Sequence, residues 1–176
     1  NYCLDRWAYR CSQSSKYTIQ QNAGSVTPPT GFSNYLGITS SSAYSVLTGD
    51  YFAIEQKIEG FNCADLAWGT ANAATVTLSF RVYSSLTGTF GGSVFNGANN
   101  RSYPFTYTIS SANTWTTVSV SVPGDTSGTW PTNNTACIRI CFGLGVGLTL
   151  EAVAYKTTQQ SRFETNKIIM ILVKQV

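Results

Sequence analysis

A two-residue alternation of apolar and polar side chains recurs along most of the chain, and it restricts the fold to β-sheet more than any other feature does. Val76, Leu78, Phe80 and Val82 share one face, while Thr75, Thr77, Ser79, Arg81 and Tyr83 take the other. Successive strand side chains point to opposite faces, so this row is a strand with one buried side. Phe52, Ile54 and Ile58 repeat the pattern opposite Glu55, Lys57 and Glu59. Val118, Val120 and Val122 do so opposite Thr117, Ser119 and Ser121, and Ala136, Ile138, Ile140 and Phe142 opposite Cys137, Arg139 and Cys141. Weaker strands fall at 4–10, 16–21, 34–40, 104–109, 148–155 and 167–173, which makes about ten in all. Turn residues separate them: Pro28-Pro29, Gly49-Asp50, Asn96 to Asn100, Pro123 to Asp125, and the alternate glycines from Gly143 to Gly147. Only Asn62 to Trp68 has room for a helical turn. Many short alternating strands joined by polar turns predict an all-β, antiparallel jelly-roll sandwich.

The length of 176 residues suits one such domain with a short appendage. The jelly roll is expected over 1–155 and a C-terminal extension over 156–176. Charged residues are 11% and aromatics 13% of the chain, a balance that favours sheet over long helices. Its charge of +3 is not spread over the body. Residues 1–155 hold seven Lys/Arg and seven Asp/Glu, and the excess comes from Lys156, Arg162, Lys167 and Lys174 against Glu164. A neutral body lacks the basic stripe of a nucleic-acid reader, so no nucleic-acid partner is expected. No apolar run reaches the 18 or so residues of a membrane span, and no signal peptide is visible, so membrane insertion is not expected. The chain opens at Asn1 and its one methionine is Met170. Its natural start is therefore expected to have been removed by processing, or to lie in a longer polypeptide.

Five cysteines, Cys3, Cys11, Cys63, Cys137 and Cys141, match no zinc spacing, and histidine is absent. Cys137 and Cys141 lie about 13 Å apart on one strand, too far for a disulfide. Free thiols, a reducing compartment during assembly and no metal or cofactor are the expectation. Without histidine, Ser-His-Asp and Cys-His hydrolysis are closed to this chain. Glu55 and Glu59 are about 13 Å apart on a strand with Lys57 between them, which reads as an exposed, charge-compensated row; Asp50 with Asp125 is an alternative carboxylate pair for glycoside hydrolysis. With so few carboxylates, no catalytic residue is assigned. Binding is the better prospect, because sugars stack on aromatic rings and bond their hydroxyls to polar side chains. Tyr44, Trp68, Tyr103 and Trp130 are the loop aromatics that qualify, with Asn99, Asn100 and Arg101 as hydroxyl partners. Packing of these rings in the loops is the competing assignment.

Asp5-Arg6-Trp7, the run from Phe52 to Gly60, the segment from Val76 to Phe90, and Asn113-Thr114-Trp115 leading to Pro123 through Trp130 follow one another in a distinctive order. Over about residues 4–147 this order resembles the carbohydrate-binding-module-like jelly-roll domain of tail fibres and other exposed virion proteins in tailed bacteriophages. The resemblance implies a non-enzymatic structural component of the phage particle, a tail-fibre module or head decoration, assembled in the bacterial cytoplasm and displayed on the virion surface. It further implies association with copies of itself and with other virion proteins, and contact with host-surface glycans. It names no catalytic residue and no ligand site. A glycan-binding module of a secreted bacterial carbohydrate-active enzyme is the alternative, and a small glycoside-acting enzyme ranks third.

After Gly147 the resemblance stops. Ile168, Ile169, Met170, Ile171, Leu172 and Val173 are apolar on both faces, as in a strand covered on two sides, and left open they would aggregate. The polar stretch from Lys156 to Lys167 has the composition of a linker. The expectation is therefore a subunit interface: 166–174 adds to the sheet of a second chain.

Overall fold

The computed structural model describes residues 2–4, 6–147, 162–163 and 168–173, with side chains described over 6–147. Among the described residues, eleven strands form two antiparallel sheets. The strands are β1 (Tyr2–Leu4), β2 (Trp7–Cys11), β3 (Tyr17–Gln21), β4 (Leu36–Ser40), β5 (Tyr44–Ser45), β6 (Tyr51–Glu59), β7 (Val76–Ser84), β8 (Gly88–Asn96), β9 (Ser102–Ile109), β10 (Thr116–Val122), β11 (Ala136–Val146), β12 (Arg162–Phe163) and β13 (Ile168–Val173). The six-stranded sheet runs β1-β2-β6-β11-β8-β9 and the five-stranded sheet β10-β7-β13-β4-β3, while β12 and β5 pair separately. This is the antiparallel jelly-roll sandwich that the alternation predicts.

The core lies between the sheets and takes the apolar side of each alternating row. Phe52, Ile54, Phe142 and Ile140 come from the first sheet; Leu78, Phe80 and Val82 come from the second. At its centre, Phe80, Phe105 and Phe142 meet edge-on or tilted, with ring centroids 4.9 Å (Phe80–Phe142), 6.0 Å (Phe105–Phe142) and 6.3 Å (Phe80–Phe105) apart. Each such buried ring contributes about 1.5–3 kcal/mol through the apolar area it removes from water. Cys63, Cys137 and Cys141 are buried free thiols and Cys11 a half-buried one. Burial, with lesser help from neighbouring groups, pushes the Cys63 and Cys141 thiols up to about 12.

Several expectations change. The helical stretch at Asn62 to Trp68 resolves into two 3₁₀ turns, Gly60–Asn62 and Ala64–Leu66, because only single turns fit between β6 and β7. Gly143 and Gly145 lie inside β11, where pairing with Ala53 and Phe52 holds them extended. Glu55 is not exposed: it is 2% accessible, and Arg10, Lys57 and Arg139 surround it. The strand expected at 148–155 lies outside the described residues.

The largest correction concerns the C-terminus. β13 sits inside this chain's own sheet, with Ile168 through Ile171 paired to β4 and Ile169 through Val173 paired to β7. Both of its backbone edges are thereby taken, which removes the reason for adding 166–174 to a second chain. Arg162 and Phe163 also return to the body by pairing with Ser45 and Tyr44.

Candidate functional site

Antiparallel register gives the six-stranded sheet two distinct ends. At one end β2 and β11 finish where β6 begins; at the other, β8 turns into β9 beside the start of β11. The candidate site is built at the second end.

Asn96, the last residue of β8, has a fully buried side chain that organises the hairpin at 97–101. Its Oδ1 accepts from the backbone N–H groups of Asn100 at 3.0 Å and Arg101 at 3.2 Å. Its Nδ2 donates to Asn100 Oδ1 at 2.6 Å and to the Thr129 carbonyl at 3.2 Å. One amide thus satisfies the hairpin backbone and ties it to the loop after β10.

Arg101 follows, and its guanidinium makes a two-point pair with Asp125: Nη2 donates to Oδ1 at 2.8 Å and Nε donates to Oδ2. The loop closes on the aliphatic stem of Arg101 at Gly128, whose φ is +79°. A Cβ there would lie 2.1 Å from Arg101 Cδ, so glycine is required both by conformation and by space. The Arg101 guanidinium holds the Asp125 carboxyl below its usual range; partial burial opposes this, and the Ser127 backbone N–H adds to it.

Trp68 and Trp130 form the inner wall. Their rings meet edge to face at 4.6 Å and 88°, and they are 7% and 8% exposed. Trp68 Nε1 donates to the Ala74 carbonyl at 2.7 Å and Trp130 Nε1 to the Ser127 carbonyl at 3.2 Å. Both indoles are therefore fully used within the protein and belong to the core, as the competing assignment held. Tyr103 differs: it borders the same pocket and is 37% exposed, so its ring can take a planar partner. The pocket, of about 460 Å³, brings together Trp68, Asn100, Arg101, Tyr103, Asp125 and Trp130.

Two of the residues chosen from the sequence fall elsewhere. Asn99 turns its Oδ1 to the Arg139 guanidinium, on the face of the sheet opposite the core. Tyr44 lies at the other end of the sheet, where its hydroxyl donates to Asp50 Oδ2 at 2.7 Å and its ring packs edge-on to Phe52 at 5.8 Å. Asp125 and Asn96 are what the sequence reading missed as site residues. A buried Asn closing a hairpin leaves only the Asn-Gly signal of any turn, and Asp125 reads first as turn chemistry.

The same geometry bears on the carboxylates. Asp50 and Asp125 belong to opposite ends of the sheet, and neighbouring donors hold both low, Asp50 down to about 2. Glycoside hydrolysis needs two nearby carboxyls, one of them held high enough to give up a proton at neutral pH. This pair meets neither condition.

No family model matches the chain, and no curated protein does. Among solved structures, the family 11 carbohydrate-binding module from Clostridium thermocellum, in complex with a β-1,3-1,4-mixed-linked tetrasaccharide, aligns with a TM-score of 0.50 at 13% identity, covering 97% of this chain and 88% of that one. The CBM22-2 xylan-binding domain of Paenibacillus barcinonensis Xyn10C aligns with a TM-score of 0.50 at 12% identity, covering 96% of this chain and 92% of that one. The enzymatically active domain of tailspike protein 4 from bacteriophage CBA120 aligns with a TM-score of 0.48 at 11% identity over 96% of this chain and 19% of that one. The chain thus shares the jelly-roll fold of carbohydrate-binding modules.

Proposed function

We propose that this domain is a non-catalytic glycan-binding module of a phage particle, with the pocket at Tyr103 receiving a sugar residue. One observation carries the reading: an exposed aromatic ring stands beside an Arg101–Asp125 pair in a walled pocket. The ring offers a stacking face, while guanidinium N–H groups and carboxylate oxygens offer donors and acceptors to adjacent hydroxyls. Because the two charges offset one another, a neutral sugar suits the pocket better than an acidic one.

The test is titration of the full chain with a panel of bacterial surface glycans. Tyr103→Ala should weaken binding by about tenfold to a hundredfold, the scale of losing a contact anchor, while the fold stays intact. Binding unchanged by Tyr103→Ala would move the site elsewhere.

Placement on the outside of a tailed-phage virion, as tail-fibre module or decoration, rests on the sequence resemblance over 4–147. Three buried free thiols support folding in a reducing cytoplasm and disfavour a module of a secreted enzyme. Association with copies of itself and with other virion proteins is part of the proposal; it would use surfaces other than β13. Density for the chain in a map of the whole particle decides the placement, and its absence from purified particles would overturn it.

A further inference from the structure

A second cavity, of about 590 Å³, opens between the two sheets. Gln56, Ile58, Ile138 and Ile140 line it from one sheet and Val76 and Leu78 from the other, and polar residues, Arg6 and Asp65 among them, complete the lining. It borders the glycan pocket through Trp68, Val94 and Val122, yet the two are distinct sites. Gln56, Ile140, Val94 and Tyr103 occupy one row on adjacent strands. Gln56 is therefore three strand spacings, roughly 14–15 Å, from Tyr103, beyond the reach of one sugar residue.

Gln56 is the anomaly in this cavity. It holds the place between Ile54 and Ile58 in the core-facing row of β6, and in the register its neighbours are Trp7 and Ile140, both in the core. The residue is 6% exposed, and among the described residues its Oε1 has no hydrogen-bond partner. A buried carbonyl oxygen without a donor leaves its desolvation uncompensated, a state that folded proteins rarely keep. Leucine would fill the same place without that penalty. The lining beside Gln56 is aliphatic, Ile58 along its strand and Ile140 across from it, and an unpaired acceptor there suits a donor carried by an apolar body.

We propose that this cavity is a second ligand site, which takes a compact apolar molecule with one O–H or N–H group, the chemistry of phenols and indoles. The donor bonds to Gln56 Oε1 and the ring lies against Ile58, Leu78 and Ile140. A sugar fits this chemistry less well, since its hydroxyls nearest Gln56 would meet Ile58 and Ile140 unpaired. An acyl chain also fails, because its buried end has nothing to donate.

Phenol and toluene, which share size and shape, are the probes, titrated into the full chain by calorimetry and followed by amide chemical shifts. Phenol should bind saturably and about threefold to tenfold more tightly than toluene, the scale of one neutral hydrogen bond. Gln56→Leu should make the two ligands equal, and Gln56→Met serves the same purpose if the leucine variant does not fold. Leu78→Trp, which fills the cavity, should abolish binding of both. Tyr103→Ala, which removes the glycan contact, should leave phenol affinity unchanged, so failure of one site is distinguishable from failure of the other. No saturable binding of phenol, as expected of a cavity that holds water alone, would overturn the proposal. So would a preference for phenol that survives both Gln56 substitutions.

Discussion

The two ends of the six-stranded sheet each carry an aspartate, a tyrosine and a tight loop, yet they do different things. At the β6 end, Asp50 is 5% exposed and its carboxylate is saturated: Tyr44 Oη donates at 2.7 Å, Ser12 Oγ at 2.7 Å, the Leu47 backbone N–H at 3.0 Å and Gln13 Nε2 at 3.4 Å. At the β8–β9 end, Asp125 has one cation and one serine for partners, and Tyr103 is partly exposed at the pocket. A carboxylate with all its lone pairs met organises a turn. One that shares a solvent-facing guanidinium with an exposed ring has capacity left for a ligand. The difference lies in how completely the neighbours satisfy the acid, and residue type alone does not reveal it.

The strongest way to break this comparison is to remove the wall of the pocket end. Trp68→Ala and Trp130→Ala should each cost about 3–5 kcal/mol, the range for deleting a buried aromatic, and chemical denaturation would measure it. A loss below about 1 kcal/mol with a large loss of glycan affinity would mean that these indoles face ligand and not each other.

Asp50→Asn is next in size. Replacing a carboxylate that accepts from four groups should cost about 2–3 kcal/mol at pH 7. The pH dependence follows from the direction of the shift. The Tyr44 hydroxyl, and after it Ser12, Leu47 and Gln13, outweigh burial and hold Asp50 down to about 2, against 3.8 for the ordinary group. The folded state binds its proton less readily than the unfolded one, so the stabilisation is present above about pH 4 and is lost as pH falls toward 2. Unfolding curves between pH 2 and 5 should show this acid limb in the parent chain and a shallower one in Asp50→Asn. Equal limbs would mean that the carboxylate is not held low.

The sheet was legible because apolar and polar residues alternate along β6, β7, β10 and β11, which marks the row that faces the core. β7 and β10 alternate in burial as well, whereas β6 and β11 are buried on both faces, with Glu55 and Arg139 on the side away from the core, and that second burial left no mark in the pattern. β8 escaped notice, since Gly88, Gly91 and Gly92 give it poor strand propensity and no side-chain period. Its glycine content answers to packing: a Cβ on Gly92 would lie 2.5 Å from the Cys141 carbonyl oxygen and 2.6 Å from Phe105 Cζ. For β13, composition reveals that the strand is covered but not by which chain. Of the binding residues, the cluster of Asn100, Arg101 and Tyr103 was readable because a hairpin keeps sequence neighbours together. Asp125 was not, since its partnership with Arg101 spans 24 positions and two strands.

The smallest expected effect concerns that pair. Arg101 is 39% exposed at its side chain and Asp125 20%, so water screens their attraction, and holding both side chains in place costs rotamer freedom. Asp125→Asn should lower the thermal midpoint by about 2 °C or less, and 1 M salt should erase most of the difference, since the Debye length then falls to about 3 Å. Arg101→Gln alone and the double substitution complete a cycle, in which near-additive shifts are expected for stability but not for glycan affinity. Non-additivity in affinity would arise because a ligand hydroxyl that bridges the two charges needs both. Should Asp125→Asn instead destabilise the fold as much as Asp50→Asn, the pair would be a second turn organiser, and the distinction between the two ends of the sheet would disappear.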